Sequence, residues 1–273
     1  MKSIYKIKRT VLIILFAFAY LISNVIAQND TMYIMKAGII VGQYDVNAEI
    51  DSIIFYNPNI STSNTVTDYD GNVYKTGTIG SQVWMAENLR TTHYANGTAI
   101  PLVNTHQGWE TMPVTSKAYC WYNDDITNKK SYGALYTWAA AMNDAASSTA
   151  NPSGIQGVCP TGWHLPSADE WTQLANHLNG DNVAGGKLKE VGIMHWISPN
   201  AGATNETGFT ALPGGNRNKV GGFLNIGKYG FWWTASENQS DYAWYRHMSF
   251  DEIKLGVGGD SMQNGFSVRC VKD

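Results

Sequence analysis

Residues 157–171 read Gly-Val-Cys-Pro-Thr-Gly-Trp-His-Leu-Pro-Ser-Ala-Asp-Glu-Trp, and this stretch decides how the chain is organised. Cys159-Pro160-Thr161-Gly162 has turn chemistry, because proline presets φ and glycine accepts a positive one. Ser167-Ala168-Asp169-Glu170 is a capping box: the Ser167 hydroxyl can accept from a first-turn N–H, and the Glu170 carboxylate can reach back. Trp171, Leu174, Ala175 and Leu178 follow at helical spacing, and Gly180 ends the run. A turn followed by a capped amphipathic helix is the strongest local signal in the chain.

Outward from this helix the signals are shorter. Gly186–Val191 reads as a second helix and Ala134–Met142 as an earlier one. Asp70-Gly71 suggests a turn, followed by strands near Val73–Thr76 and Gln82–Met85. Beyond Trp196 the chain is rich in Gly and Asn and reads as a long loop region, with Gly221-Gly222 and Gly258-Gly259 as loop glycines. Phe231–Ser236, Tyr242–Phe250 and Phe266–Val271 read as three closing strands. Near the start, Met32–Lys36, Ile39–Val46 and Ser52–Tyr56 suggest a small β module, too small to be more than marginal alone. Residues 57–67 are polar, contain Pro58 and read as a linker.

The first residues read as an export signal. Lys2, Lys6, Lys8 and Arg9 form a basic region, Val11–Ile22 is uncharged and apolar, and Val25-Ile26-Ala27 offers small residues for cleavage before Gln28. The apolar run is too short to span a bilayer. No cysteine precedes Cys120, so a lipoprotein is not expected. The expected order is signal peptide 1–27, β module 28–56, linker 57–67 and main domain 68–273, in a secreted or otherwise extracytoplasmic protein. Cleavage would remove four of the 19 Lys/Arg and none of the 22 Asp/Glu, leaving 15 against 22, a net charge near −7. With no basic cluster after Arg9, a nucleic-acid partner or a membrane-surface role is disfavoured. No transmembrane segment is expected once the signal is removed.

The chemistry-bearing residues form no recognised catalytic pattern. Asp68-x-Asp70-Gly71-Asn72 places its glycine too early for an EF-hand, and the twelfth position is Ile79. The six histidines are dispersed, and there is no HExxH, GxSxG, P-loop or GxGxxG. His164 reads as a core or cap residue, and His247 as an exposed strand residue. Cys120, Cys159 and Cys270 lack CxxC or zinc spacing, and spacing alone does not pair them. Trp84, Trp138, Trp163, Trp171, Trp232 and Trp233 read as core. Trp109, Trp121, Trp196 and Trp244 are undecided, and exposed ones would stack against sugars. Asp30-Thr31-Met32, Asp51-Ser52-Ile53 and Asp260-Ser261-Met262 are similar to the triplet that Bacteroidota O-glycosylate on exported proteins.

Six stretches together carry a resemblance: DYDGNVYKTGTIGSQVWMAENLRT (68–91), YGALYTWAAAM (132–142), GVCPTGWHLPSADEW (157–171), AGGKLKEVG (184–192), HWISPNAGATNETGFTALPGGNR (195–217) and GFSVRCVKD (265–273). In this order they resemble the Fibrobacter succinogenes major paralogous domain family of secreted and surface proteins in Bacteroidota and Fibrobacterota. WHLPSADEW and GFSVRC are also similar, more thinly, to segments of the sulfatase-modifying-factor and C-type-lectin-like folds.

The resemblance implies an α+β, C-type-lectin-like or sulfatase-modifying-factor-like domain with long irregular loops. It implies a Cys159–Cys270 disulfide, because both lie in family-like motifs and the last strand returns beside the first helix, leaving Cys120 free. The modifying enzymes' cysteine chemistry does not carry over, and the lectins' EPN or QPD and WND calcium motifs are missing. Glu237, Asn238 and Asp241 occupy a comparable hairpin loop and, with Trp244 and Arg246, form the candidate ligand-binding set. The expected function is a non-enzymatic binding or structural module with no catalytic residue, metal or cofactor. The alternatives are a lectin-like protein that binds carbohydrate through loop aromatics, and an enzyme with an unrecognised site. A glycan or another surface protein is the expected kind of partner.

Overall fold

The computed structural model describes residues 31–36, 39–45 and 65–273. The signal sequence, the Ser52–Tyr56 strand and most of the linker lie outside the described residues. The chain divides into two units between Tyr56 and Asn57. In the first, β1 (Thr31–Lys36) pairs antiparallel with β2 (Ile39–Asp45), within a residue of the sequence reading.

The second unit is mixed and sheet-rich. One sheet has the order β3-β4-β5-β14-β8, from β3 (Thr65–Thr67), β4 (Val73–Ile79), β5 (Gln82–Met85), β8 (Trp163–His164) and β14 (Val271–Lys272). The other has the order β10-β9-β11-β12-β13, from β9 (Gly214–Arg217), β10 (Phe223–Ile226), β11 (Tyr229–Gln239), β12 (Tyr242–Ser249) and β13 (Leu255–Ser261). A two-stranded ladder joins β6 (Tyr119–Cys120) to β7 (Leu135–Tyr136). The helices are short: α1 (His106–Thr111), α2 (Lys129–Tyr132), α3 (Trp138–Met142), α4 (Ala168–His177) and α5 (Asp181–Leu188).

Helix α4 forms as its sequence dictates. Ser167 Oγ accepts from Glu170 N at 3.1 Å and Glu170 Oε2 accepts from Ser167 N at 2.9 Å, closing the capping box. Its apolar stripe buries Trp171 and Leu174. Trp171 meets Trp84 at 4.7 Å, Phe209 at 5.8 Å and Trp232 at 6.3 Å between ring centroids, so this helix is the hub that joins both sheets. At about 1.5–3 kcal/mol per large apolar side chain, this cluster is a major source of stability.

Several sequence readings need correction. Thr65–Thr67, read as linker, pairs with Val73–Lys75 and alternates exposed and buried, so the sheet starts before Asp68. The helix read over Ala134–Met142 begins only at Trp138, because Tyr136 N is drawn to Phe266 O and Thr137 caps Ala140 N. The second helix lies at Asp181–Leu188 rather than Gly186–Val191 and starts directly after Gly180. Its two glycines admit close neighbours: a Cβ on Gly185 would stand 2.3 Å from Lys254 O, and one on Gly186 would stand 2.5 Å from Gly202 O.

The long loop region after Trp196 contains β9 and β10, and Leu255–Ser261, read partly as loop glycines, is the edge strand β13. Phe266–Val271 is a strand only at its end, while Phe266 and Ser267 make isolated bridges to Tyr136 and Trp232. Among the described tryptophans, Trp109, Trp121 and Trp196 are buried with the expected core, and only Trp138 and Trp244 are half-buried, so no tryptophan platform forms.

Candidate functional site

The family-like stretches converge on one residue, Asn88. Its amide oxygen accepts from Trp232 Nε1 and from Arg269 Nε, each at 2.9 Å. Its amide nitrogen donates to Tyr132 O at 2.9 Å and to Ser267 Oγ at 3.2 Å. Arg269 is 1% exposed, also donates to Thr210 O at 2.8 Å and to Phe209 O, and lies 4.1 Å over the Phe209 ring. Burial pulls its guanidinium down to about 9. Four of the six stretches therefore meet at a saturated polar hub inside the core.

The remaining signature chemistry lies in the stretch 157–171. Cys159 and Cys270 are bonded, with Cα atoms 5.9 Å apart, as the resemblance implied. Cys120 is free and buried, and burial pushes its thiol up to about 12, so it is a packing residue rather than a nucleophile. His164 and Glu170, each 2% exposed, form an ion pair, with His164 Nε2 2.6 Å from Glu170 Oε1. His164 Nδ1 is 2.7 Å from Asp273 Oδ1. Burial alone would lower the imidazole, but the hydrogen bonds to Glu170 and Asp273 outweigh it and raise the pKa. The second Glu170 oxygen accepts from Ser167 N and from Ser153 N, the latter at 3.1 Å.

A cleft of about 310 Å³, edged by Gln82, Gln173 and Lys272, adjoins this group. Neither ring nitrogen is left to take a proton from a ligand there. A general base needs a free lone pair within reach of the proton it abstracts, so the arrangement is a clamp between β8, α4 and the residues after β14.

A family model described as the Fibrobacter succinogenes major domain matches residues 78–272. The chain belongs to this family. No curated protein and no solved structure matches it. In this major-domain chain the recognisable residues are largely spent on the interior.

The predicted hairpin set is not one constellation. Glu237, Asn238 and Asp241 are exposed around the β11–β12 turn. Glu237 N donates to Ser147 Oγ at 2.8 Å, and Asn238 folds over Gly259. Trp244 is half-buried on β12. Arg246 points away under the helices, 3% exposed, donating to Asp181 Oδ1 at 2.9 Å and Thr172 Oγ1 at 2.7 Å. Its guanidinium is committed to joining α4 and α5.

Among the described residues no group of three or more His, Cys, Asp and Glu is placed to hold a metal. Asp70 instead accepts from Thr91 Oγ1 at 2.9 Å, meets His93 Nδ1 at 2.5 Å, and fixes a turn. The Asp260-Ser261-Met262 triplet places Ser261 in the buried end of β13, and the other two triplets have no described side chains.

One surface was missed. Strand alternation puts Tyr229 and Phe231 of β11 on the same sheet face as Tyr245 and His247 of β12. All four rings are half-buried. Phe231 lies 5.7 Å from Tyr229, 5.8 Å from Tyr245 and 6.2 Å from His247. His247 is not the freely exposed residue that its strand position suggested. Burial, above all, lowers its pKa, aided by Lys254 and Arg246. The signal was legible in principle as period-two aromatics in YGF and YRH beside period-two glycines in GVG.

Proposed function

We propose that this chain is an exported, non-catalytic binding or structural module built on a C-type-lectin-like or sulfatase-modifying-factor-like scaffold. The observation that carries this reading is the clamp: among the described residues, the buried histidine–carboxylate group next to a cleft has both ring nitrogens committed. The scaffold reading is supported by the capped first helix and by a last strand tied back beside it through Cys159–Cys270. Export is supported by the basic, apolar and small-residue pattern of residues 1–27 and by a disulfide suited to an oxidising compartment. Among the described residues no helix is long and apolar enough to cross a membrane.

Two measurements test the reading. Fractionation of the native host should recover the chain outside the cytoplasm with Gln28 at its N-terminus, and full-length cytosolic protein as the main species would end the export claim. Incubation of the mature protein with chromogenic esters, glycosides and phosphates should give no turnover. Turnover abolished by His164→Gln would assign the clamp to catalysis.

A further inference from the structure

The aromatic face of the second sheet has a construction that packing alone leaves open. Tyr245 and His247 do not stand upright on β12 but lie across the neighbouring edge strand. A Cβ on Gly258 would stand 2.5 Å from the Tyr245 hydroxyl oxygen, and one on Gly256 would stand 2.2 Å from His247 Cε1 and Nε2. These pairs sit opposite one another in the β12–β13 register. Each ring thus reaches over the glycine opposite it, where no side chain of the edge strand competes for the space.

Phe231 stacks on the buried Phe266 at 5.1 Å with an 18° interplanar angle, and Tyr229 continues the row at 19° to Phe231. The rings are thus held by their neighbours and remain half-buried. Two carry hydroxyls, and the Asp260 carboxylate lies close enough to Tyr245 to help raise its phenol, after burial.

We infer that the face formed by Tyr229, Phe231, Tyr245 and His247 binds a neutral carbohydrate chain, whose pyranose rings stack on the aromatics while phenol and carboxylate groups meet their hydroxyls. The inference rests on the non-catalytic binding reading and gives it a ligand class. Ring faces with polar rims match a sugar, which alternates apolar C–H faces with an equatorial belt of hydroxyls. Aromatic side chains carry that combination at little conformational cost. Asp260 Oδ1 accepts from Ser261 N at 2.7 Å, but a purely apolar partner would desolvate its other oxygen and the two phenols with nothing to bond them, which is costly. An acidic polymer would meet Asp260 and the chain's excess of acidic residues unfavourably.

The test is native affinity electrophoresis of the mature protein in gels containing hydroxyethyl cellulose, soluble starch or carboxymethyl cellulose. Retardation by at least one neutral glucan is expected, with carboxymethyl cellulose weaker. Tyr229→Ala, at the edge of the row, and Tyr245→Ala should each weaken retardation about tenfold or more, while Val257→Ala, exposed on the opposite face of β13, should not. Melting curves identify any variant that fails to fold, and Tyr229→Ala, with no glycine beneath it, is the less disruptive of the two. No retardation by either neutral glucan, preference for the acidic one, or unchanged binding in folded Tyr229→Ala would overturn the assignment. A rise in reducing ends on prolonged incubation would instead overturn the non-catalytic reading and leave the binding face in place.

Discussion

At the residue scale the energetics turn on two polar groups that the interior saturates. Asn88 satisfies a buried arginine and a buried indole at once. Asn88→Ala should therefore cost about 3 kcal/mol or more, since it strands a charged donor and a neutral one. Chemical denaturation of the purified variant checks this, and a loss under 1 kcal/mol would show that the hub relaxes onto water.

His164 gives a pH signature. Its folded pKa is raised above its unfolded value, near 6.5. Its contribution to stability is therefore full below about 6.5 and is lost as pH rises through the folded value. The melting-temperature advantage of the wild type over His164→Gln should shrink as pH rises across that window. An advantage that grows with pH would mean a neutral imidazole. The sequence placed His164 in a core or cap role but could not reveal its second carboxylate partner, because Asp273 lies 109 residues away. Arg246 was offered as a ligand residue for the same reason, as its partner Asp181 is on a helix 65 residues away in sequence.

At the element scale, signals carried by neighbouring residues were legible and those set by distant contacts were not. The capping box at Ser167–Glu170 stands as read, because its donors and acceptors are three residues apart. Strand β13 escaped because a Gly-rich stretch looks like loop until its partner supplies the side chains that cover it. Tyr245 and His247 do so here, a case of aromatic rings shielding edge-strand glycines. Gly256→Val should destabilise by roughly 1–3 kcal/mol through overpacking against the His247 ring. An unchanged denaturation midpoint would mean that the ring is free to swing away.

The first strand of this unit makes a similar point. Thr65–Thr67 is polar and looked like linker, yet Val66 is buried against the sheet. A chain beginning just before Thr65 should melt at a higher temperature than one beginning at Asp68, and equal melting temperatures would show that β3 adds nothing.

At the scale of the whole molecule, the six family-like stretches mark the fold more than the function. They bring Asn88, Tyr132, Phe209, Ser267 and Arg269 into one core, and they bond Cys159 to Cys270 across 111 residues. Chain-entropy reasoning puts that cross-link at about 4–5 kcal/mol. Reduction should lower the denaturation midpoint well beyond the effect of Cys120→Ser. Equal effects would mean that the cross-link contributes no more than one packed thiol.

The aromatic face lay outside the family-like stretches apart from Phe266, which is why motif reading passed over it. Its rings came from two strands whose pairing register only the fold supplies.

The account holds that the buried histidine of the signature stretch is a clamp and not an acid–base centre. Side-chain ¹⁵N NMR of His164 at pH 6.5 measures this directly. The account predicts that both ring nitrogens carry protons and that the imidazolium persists to a pH above the ordinary histidine value. A ring with one unprotonated nitrogen at pH 6.5, titrating below that value, would be an available base and would contradict the account.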